Sequence, residues 1–193
     1  MAVTGVVLAA GAAQRMGTQK LLLSHADGTI LESTVGAMVA SRVDHVVVVV
    51  GPNGWAMEQA LTEVDATVVR NPDPSRGNMS SLLVAIELER DPDAFILIAG
   101  DLPTMDTTRI DALADLWNRD EPWAAVTEDQ DRIAHPFLLS QLAIDEIRDT
   151  PGEKVLWRTL IDSGDPRVMR VDAPTDAPLD VNTPADYQRL RRQ

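Results

Sequence analysis

The sequence predicts a three-layer α/β sandwich in which a mostly parallel β-sheet carries helices on both faces. Short β-branched runs alternate with longer segments that repeat apolar residues at helical spacing. The run at 46–50 is continuously apolar, as expected of a parallel strand that is covered on both faces. The 193 residues contain no internal repeat and no linker long enough to divide them, so we expect a single domain spanning 1–193.

The elements follow one another along the chain. Strands are predicted at 3–10, 46–50, 66–70, 94–99, 123–127, 133–139 and 168–171. Helices are predicted at 30–41, 55–63, 79–90, 106–119, 142–148 and 153–161. A last helix has the clearest start, because Thr183 can cap it, Pro184 suits its first position and Asp186 lies three residues after the cap.

Composition and charge exclude several classes of protein. The net charge of −13 at pH 7 disfavours nucleic acid and anionic membranes as partners. The chain has no cysteine, which excludes disulfides and cysteine-based metal or redox sites. No apolar run is long enough for a membrane span or a signal peptide, so we expect a cytoplasmic protein. The tryptophans are assigned to apolar faces rather than to a base-stacking platform: Trp55, Trp117, Trp123 and Trp157.

The loop at 11–20, after the first predicted strand, is a candidate anion site, because ligands in open α/β sheets bind beyond the carboxyl ends of the strands. Its small residues let a ligand approach backbone N–H groups. Arg15 and Lys20 add the positive charge that a polyphosphate requires. The spacing matches neither G-x-x-x-x-G-K-[ST] nor G-x-G-x-x-G. These residues alone leave open a flexible surface loop with two solvated cations.

Asp101 is the candidate metal ligand. It directly follows the apolar strand predicted at 94–99 and a glycine. A carboxylate at that point can hold Mg²⁺ against triphosphate oxygens, because Mg²⁺ prefers hard oxygen ligands and few protein contacts. The alternative is a turn or helix-cap aspartate, but Asp106 is better placed to cap the next helix.

The string Leu8-Ala9-Ala10-Gly11, followed by Arg15-Met16-Gly17 and by Lys20, resembles the signature of the MobA-like nucleotidyltransferases. This family includes the enzymes that attach CMP or GMP to molybdopterin. The resemblance extends over 3–187 and implies a Rossmann-like sandwich of the nucleotide-diphospho-sugar transferase type. The residues it implies in nucleoside triphosphate binding are Leu8, Ala9, Ala10, Gly11, Arg15 and Lys20. It implies catalytic roles for Lys20, Arg15 and Asp101.

The resemblance also implies metal ligands. The Gly-Asp-x-Pro aspartate of the family, here Asp101, binds the metal. The segment Leu179-Asp180-Val181-Asn182-Thr183-Pro184 resembles the family's Asp-Ile-Asp-Thr-Pro, so Asp180 is implied as a second Mg²⁺ ligand. Asn182 stands where aspartate is commoner. Its amide either coordinates the metal or a phosphate, or only orders the turn before the last helix.

A further segment resembles the family's Asn…Gly-x-x-x-Ser-Leu, with Asn71, Gly77, Ser80 and Ser81 at the matching positions. The resemblance implies base and ribose contacts there. Physically, an asparagine amide can hydrogen-bond to a base edge, and a helix N-terminus favours anions. Helix capping is the alternative role for the two serines.

On the acceptor side, His135-Pro136-Phe137 resembles the family's Gly-His-Pro, with Ala134 in place of the glycine. His135 is implied as an acceptor contact, and a packed histidine beside a proline turn is the alternative. The family then often carries Gly-Asp-x-Gly, whereas this chain has Pro151-Gly152-Glu153-Lys154-Val155. This departure bears on the acceptor more than on nucleotidyl transfer.

The resulting expectation is a Mg²⁺-dependent nucleotidyltransferase that moves CMP onto molybdopterin and releases pyrophosphate. CTP is favoured over GTP because, in the family, Ala-Ala-Gly accompanies cytidine use and Ala-Gly-Gly guanosine use. One alternative acceptor is a sugar phosphate or another phosphorylated metabolite. Another alternative is a non-catalytic nucleotide-binding maturation factor for a molybdoenzyme. A molybdoenzyme or its maturation factor is the expected kind of protein partner.

Overall fold

The computed structural model describes residues 2–11, 18–88, 92–130, 132–152 and 154–192. Within these ranges seven strands form one sheet, and two short strands form a hairpin. The strands are β1 (Val3–Ala9), β2 (Ser24–His25), β3 (Gly28–Thr29), β4 (His45–Val50), β5 (Thr67–Arg70), β6 (Ala94–Ala99), β7 (Ala124–Asp129), β8 (Arg132–Ser140) and β9 (Val168–Asp172).

The helices follow the predicted pattern. They are α1 (Ile30–Val39), α2 (Trp55–Ala60), α3 (Asn78–Ile86), α4 (Thr107–Asp120), α5 (Gln141–Ile147), α6 (Val155–Trp157) and α7 (Pro184–Leu190). Short 3₁₀ turns occupy Thr18–Leu22 and Pro74–Arg76, and a π-helical turn, Arg158–Asp162, continues α6. None of the described helices is both long and apolar enough to cross a bilayer.

The sheet has the strand order β5-β4-β1-β6-β8-β7-β9. The pairs β5/β4, β4/β1, β1/β6 and β7/β9 are parallel, and β8 is antiparallel to both β6 and β7. All strands of this seven-stranded sheet except β8 therefore run in one direction. The predicted mostly parallel sheet is confirmed, and the carboxyl ends of its central strands lie at one edge, where ligands of such sheets bind.

Helices cover both faces of the sheet, which confirms the predicted layering. In β1, Val7 and Ala9 pack on the face that carries α1, α2, α4 and α7, whereas Val6 packs on the face that carries α3, α5 and α6. The alternation is invisible in the sequence because both sets of side chains are apolar and both are buried. This double burial holds the central strands rigidly and fixes the edge at which the loops emerge.

The structure differs from the predicted pattern in two respects. The hairpin β2–β3 was not predicted, because two-residue strands are too short to show an alternation. The assignment of every tryptophan to an apolar face was wrong for two of them, since Trp55 is 65% exposed and Trp157 47% exposed. Trp117 is buried, as expected.

Candidate active site

Two neighbouring parallel strands bring the predicted loop and the predicted metal ligand together. Leu8 in β1 pairs with Ala99 in β6, so the residues after the two strands leave the sheet side by side. Gly100 allows this close approach, because a Cβ added there would lie 3.2 Å from the Cβ of Ala9. The next residue, Asp101, is thereby placed beside the start of the first loop.

A short ion pair joins Lys20 to Asp101. Lys20 lies on the 3₁₀ turn Thr18–Leu22, and its Nζ is 2.6 Å from Asp101 Oδ2 and 3.3 Å from Asn182 Oδ1. Lys20 is only 7% exposed, which for a lysine requires a partner. Three segments that are distant in sequence therefore converge on one ammonium group.

Asp180 adds a second carboxylate to this cluster. The backbone of the C-terminal turn is tied to the first carboxylate residue, because Val181 N donates to Asp101 O at 3.1 Å. The carboxyl group of Asp180 is partly buried and lies near the negative charge of Asp101. Both effects raise the pKa of Asp180 to about 6. The single ammonium of Lys20 does not offset both carboxylates, so the site carries excess negative charge.

The oxygen atoms in this cluster suit a hard divalent cation. Asp101 and Asp180 provide carboxylate oxygens, and Asn182 provides an amide oxygen that already lies within reach of the same ammonium. Among the described residues no group of three histidine, cysteine or acidic side chains forms a closed metal cage. Mg²⁺ is usually held in this open way, by one or two carboxylates, waters and substrate phosphates.

A capping box fixes the turn that carries Asp180 and Asn182. The carboxylate of Asp186 accepts hydrogen bonds from Asn182 N at 3.1 Å, Thr183 N at 2.7 Å and Thr183 Oγ1 at 2.8 Å. Thr183 Oγ1 in turn accepts from Asp186 N at 3.2 Å. The Thr183 hydroxyl and the Arg189 guanidinium lower the pKa of Asp186 to about 2. The predicted helix start at Thr183 is confirmed.

We expect Asp186→Asn to make the stability against urea less dependent on pH in the acid range. Because the pKa of Asp186 falls from 3.8 to about 2 on folding, its contribution is complete above the unfolded value and is lost as pH falls through the folded one. The wild type should therefore exceed the variant in urea midpoint at neutral pH, and the gap should close toward about pH 2. Asp120→Asn, at an exposed carboxylate of α4, is the matched control. Parallel curves for wild type and Asp186→Asn would contradict this role.

A cleft of about 240 Å³ lies where the first loop meets Asp101. Predicted site residues that line it are Leu8, Ala9, Gly11, Lys20 and Asp101. Ala10 does not line it, since this residue is 6% exposed and packs in the core. Asn78, the first residue of α3, lines the cleft and was missed by sequence reasoning. The sequence feature that could have indicated Asn78 is its position directly after Gly77 in the Gly-x-x-x-Ser-Leu segment. Arg15 lies outside the described residues.

The predicted base-contact residues form a compact internal network. Asn71 is 2% exposed, and its Nδ2 donates to Ser80 Oγ at 2.9 Å and Ser81 Oγ at 3.0 Å. Its Oδ1 accepts from Asp73 N at 2.9 Å. Gly77 precedes α3 with φ of 83°, a conformation that favours glycine. The network shapes the start of α3, and direct base contacts from these side chains stay a prediction.

A second cleft, of about 880 Å³, begins beside Asp101 at Leu102 and Asp180. Its charged lining residues are Asp106, Asp129, Arg132, Asp176, Asp180 and Arg189. Trp157 and Phe137 provide aromatic surface in the same cleft. Sequence reasoning placed only Asp180 and His135 in a site, because the other residues are scattered along the chain without a motif.

His135 lines the large cleft as a neutral ring. Its Nδ1 lies 3.2 Å from Leu97 O, and a carbonyl oxygen only accepts, so Nδ1 carries the proton. Burial lowers the pKa of His135, which keeps the ring uncharged at neutral pH. The ring centroid is 4.3 Å from that of Phe137. His135 can therefore offer a lone pair at Nε2, and it does not supply positive charge for a phosphate.

The fold and this paired-cleft site define an α/β nucleotidyltransferase. The family of the MobA-like NTP transferase domain matches residues 5–168, and the chain belongs to this family.

The chain is similar to three proteins of known sequence or structure. The molybdenum cofactor cytidylyltransferase of Escherichia coli K12 is 26% identical over 96% of this chain and 94% of its own length. The crystal structure of Rv0371c from Mycobacterium tuberculosis H37Rv superposes with a TM-score of 0.87 at 29% identity and covers 100% of this chain and 98% of its own, and a manganese complex of Rv0371c is also known. The nicotine blue oxidoreductase of Paenarthrobacter nicotinovorans is 31% identical over 58% of this chain and 55% of its own length.

Proposed function

We propose that this protein is a single-domain, cytoplasmic cytidylyltransferase. It transfers CMP from CTP to a phosphate of the molybdenum cofactor, uses Mg²⁺ and releases pyrophosphate. The observation that carries the proposal is the convergence of Lys20 and Asp101 between two clefts, with 2.6 Å between Nζ and Oδ2. A cytidylyltransferase that matches nearly the whole chain supports the same activity.

The two clefts suggest a division of roles. The nucleotide would occupy the cleft of about 240 Å³ beside Gly11, where backbone amides and Lys20 can bind its phosphates. The acceptor would occupy the cleft of about 880 Å³ that His135 lines. Asp101 and Asp180 lie where the two clefts meet, so the reacting phosphates would come together beside these carboxylates.

The reaction needs little acid–base chemistry from the protein. An oxygen of the acceptor phosphate attacks the α-phosphorus, and the bond from that phosphorus to the bridging oxygen breaks, so pyrophosphate leaves with the electron pair. The nucleophile is already an anion, so catalysis consists of positioning and charge stabilisation. Lys20, with Arg15, would stabilise the charge on the leaving pyrophosphate. When bound by Asp101, Asp180 and the Asn182 amide, Mg²⁺ supplies neutralisation of the phosphate oxygens.

Preference for CTP rests on the Ala-Ala-Gly sequence at the end of β1. The methyl group of Ala10 is buried in the core, so its effect on the base would come through the path of the backbone into Gly11. This backbone, together with Asn78 at the start of α3, borders the proposed nucleotide cleft.

A pyrophosphate-release screen tests the proposed function. Each nucleoside triphosphate would be combined with the molybdenum cofactor, with sugar phosphates and with no acceptor, in Mg²⁺ and in Mn²⁺. We expect release only when CTP, the molybdenum cofactor and a divalent cation are present together. Release with a sugar phosphate instead would replace the proposed acceptor. Triphosphate binding without release in any combination would support the alternative of a non-catalytic maturation factor for a molybdoenzyme.

A further inference from the structure

Arg109 in α4 is a buried cation without a carboxylate at ion-pair distance among the described residues. The residue is 0% exposed. Its side chain instead donates to neutral oxygens: Nε to His135 O at 3.3 Å, Nη2 to Thr127 Oγ1 at 2.9 Å, and Nη1 to Thr175 O. A buried charge is costly unless it is well hydrogen-bonded, so a residue of this kind calls for a reason beyond packing.

Two of these hydrogen bonds, to His135 O and Thr127 Oγ1, lie at an irregularity in the sheet. The register between β7 and β8 shifts after Val126, and Thr127 pairs with Ala134. His135 follows that pair and has no partner in the register of either β7 or β6. Arg109 donates to the free carbonyl of His135 and also to Thr127 Oγ1, which itself donates to Ala134 O at 2.7 Å. Irregularities of this type re-aim side chains near active sites, and here the re-aimed residue lines the large cleft.

The remaining bond reaches a second chain segment that lines the same cleft. Thr175 belongs to the segment after β9 that leads to Asp180. This segment has little regular structure, and its other ties include Ala177 N to Asp129 Oδ2 at 3.2 Å. Because one guanidinium holds both Thr175 O and His135 O, Arg109 ties these two lining segments to each other.

The positive charge of Arg109 is buried beneath the residues that line the cleft, and it affects the electrostatic potential there. Burial lowers the pKa of Arg109, and three aspartates oppose this effect: Asp129, Asp106 and Asp176. All three line the large cleft. The buried guanidinium therefore offsets part of the negative charge that an anionic acceptor would meet there.

We propose that Arg109 is a positioning residue for the acceptor. It clamps the backbone at His135 and Thr175 and so fixes the shape of the acceptor cleft, without touching the nucleotide cleft. The inference rests on the proposed function only for the assignment of the large cleft to the acceptor. None of the family motifs in the sequence includes Arg109.

The test compares Arg109→Met, which removes every side-chain hydrogen-bond donor, with Arg109→Lys, which keeps the charge but loses the planar guanidinium and its fixed set of donors. Arg119→Met, at an exposed arginine of the same helix, is the matched control. With the molybdenum cofactor as acceptor, we expect Arg109→Met to raise the KM for the acceptor about tenfold and to leave the KM for CTP within about twofold. Arg109→Lys should restore part of the loss. Hydrogen exchange should accelerate at 132–136 and 173–178, and not at 3–11.

Equal changes in both KM values, an unchanged acceptor KM, or the same effect in Arg119→Met would overturn the positioning role. If Arg109→Met does not fold, Arg109→Lys against wild type carries the same comparison. If the wild type shows no turnover with the molybdenum cofactor, this result counts against the proposed function. It does not count against the clamp, that is, against the positioning of His135 and Thr175 by Arg109. The clamp is then judged by exchange alone: faster exchange confined to 132–136 and 173–178 upholds it, and unchanged or uniformly faster exchange refutes it.

Discussion

Asp101→Asn is expected to lower the rate of nucleotidyl transfer by about 10³-fold, which corresponds to a loss of about 4 kcal/mol of charge stabilisation in the transition state. The substitution removes one of the two carboxylates at the junction of the clefts. It keeps an oxygen that can accept from Lys20, whose ammonium is almost completely buried against this position. Asp101→Ala should lose activity to the same extent, and it should also be less stable, because it leaves that ammonium without a charged partner.

Three measurements separate the catalytic loss from structural damage. Pyrophosphate release gives the rate, Mn²⁺ binding by calorimetry gives the metal affinity, and thermal unfolding gives the stability. Asp115→Asn, at an exposed carboxylate of α4, should match wild type in all three. Full activity of Asp101→Asn with unchanged Mn²⁺ affinity would remove the metal role from Asp101 and with it the proposed site.

The fold was predictable because local patterns and tertiary packing agree. The valines at 46–50 are buried on both sides in β4, as a continuous apolar run predicts. The last helix begins where Thr183, Pro184 and Asp186 predicted it, because a capping box depends only on residues close in sequence. The sequence predicted that Lys20 and Asp101 converge, because both follow strands whose carboxyl ends share one edge of a parallel sheet, but the adjacency of β1 and β6 is seen only in the structure.

The residues that escaped prediction depend on contacts between distant segments. Arg109 reads in the sequence as one more charged residue of an amphipathic helix, and only the shifted register of β7 against β8 gives its guanidinium partners. Trp157 reads as apolar helix surface, yet the chain changes there from α6 into a π-helical turn, and its ring lines the large cleft. Spacing along one chain does not encode such relationships, because they arise from which surfaces the fold brings together.

Lys20→Met is expected to have two effects of opposite sign. In the structure, the Lys20 ammonium lies among the oxygens of Asp101 and Asn182 that a divalent cation would use. Two cations about 4 Å apart repel by about 4 kcal/mol per pair of unit charges in a partly buried site, so removing the ammonium should tighten Mn²⁺ binding by at least about tenfold. Turnover should nevertheless fall by about 10²-fold to 10³-fold, because the leaving pyrophosphate loses a cation.

This combination distinguishes a functional exchange from simple damage. In wild type, a bound metal would compete with the Lys20–Asp101 ion pair, and Lys20 would then pair with the triphosphate instead. The metal-free variant should unfold at a lower temperature at neutral pH, because Asp101 and Asp180 then repel without compensation, and Mn²⁺ should restore the loss. Arg119→Met, at an exposed cationic residue of α4 outside both clefts, is the matched control. Weaker Mn²⁺ binding in Lys20→Met would show that Lys20 does not occupy the cation position. Turnover equal to wild type would show that Lys20 does not stabilise the leaving pyrophosphate.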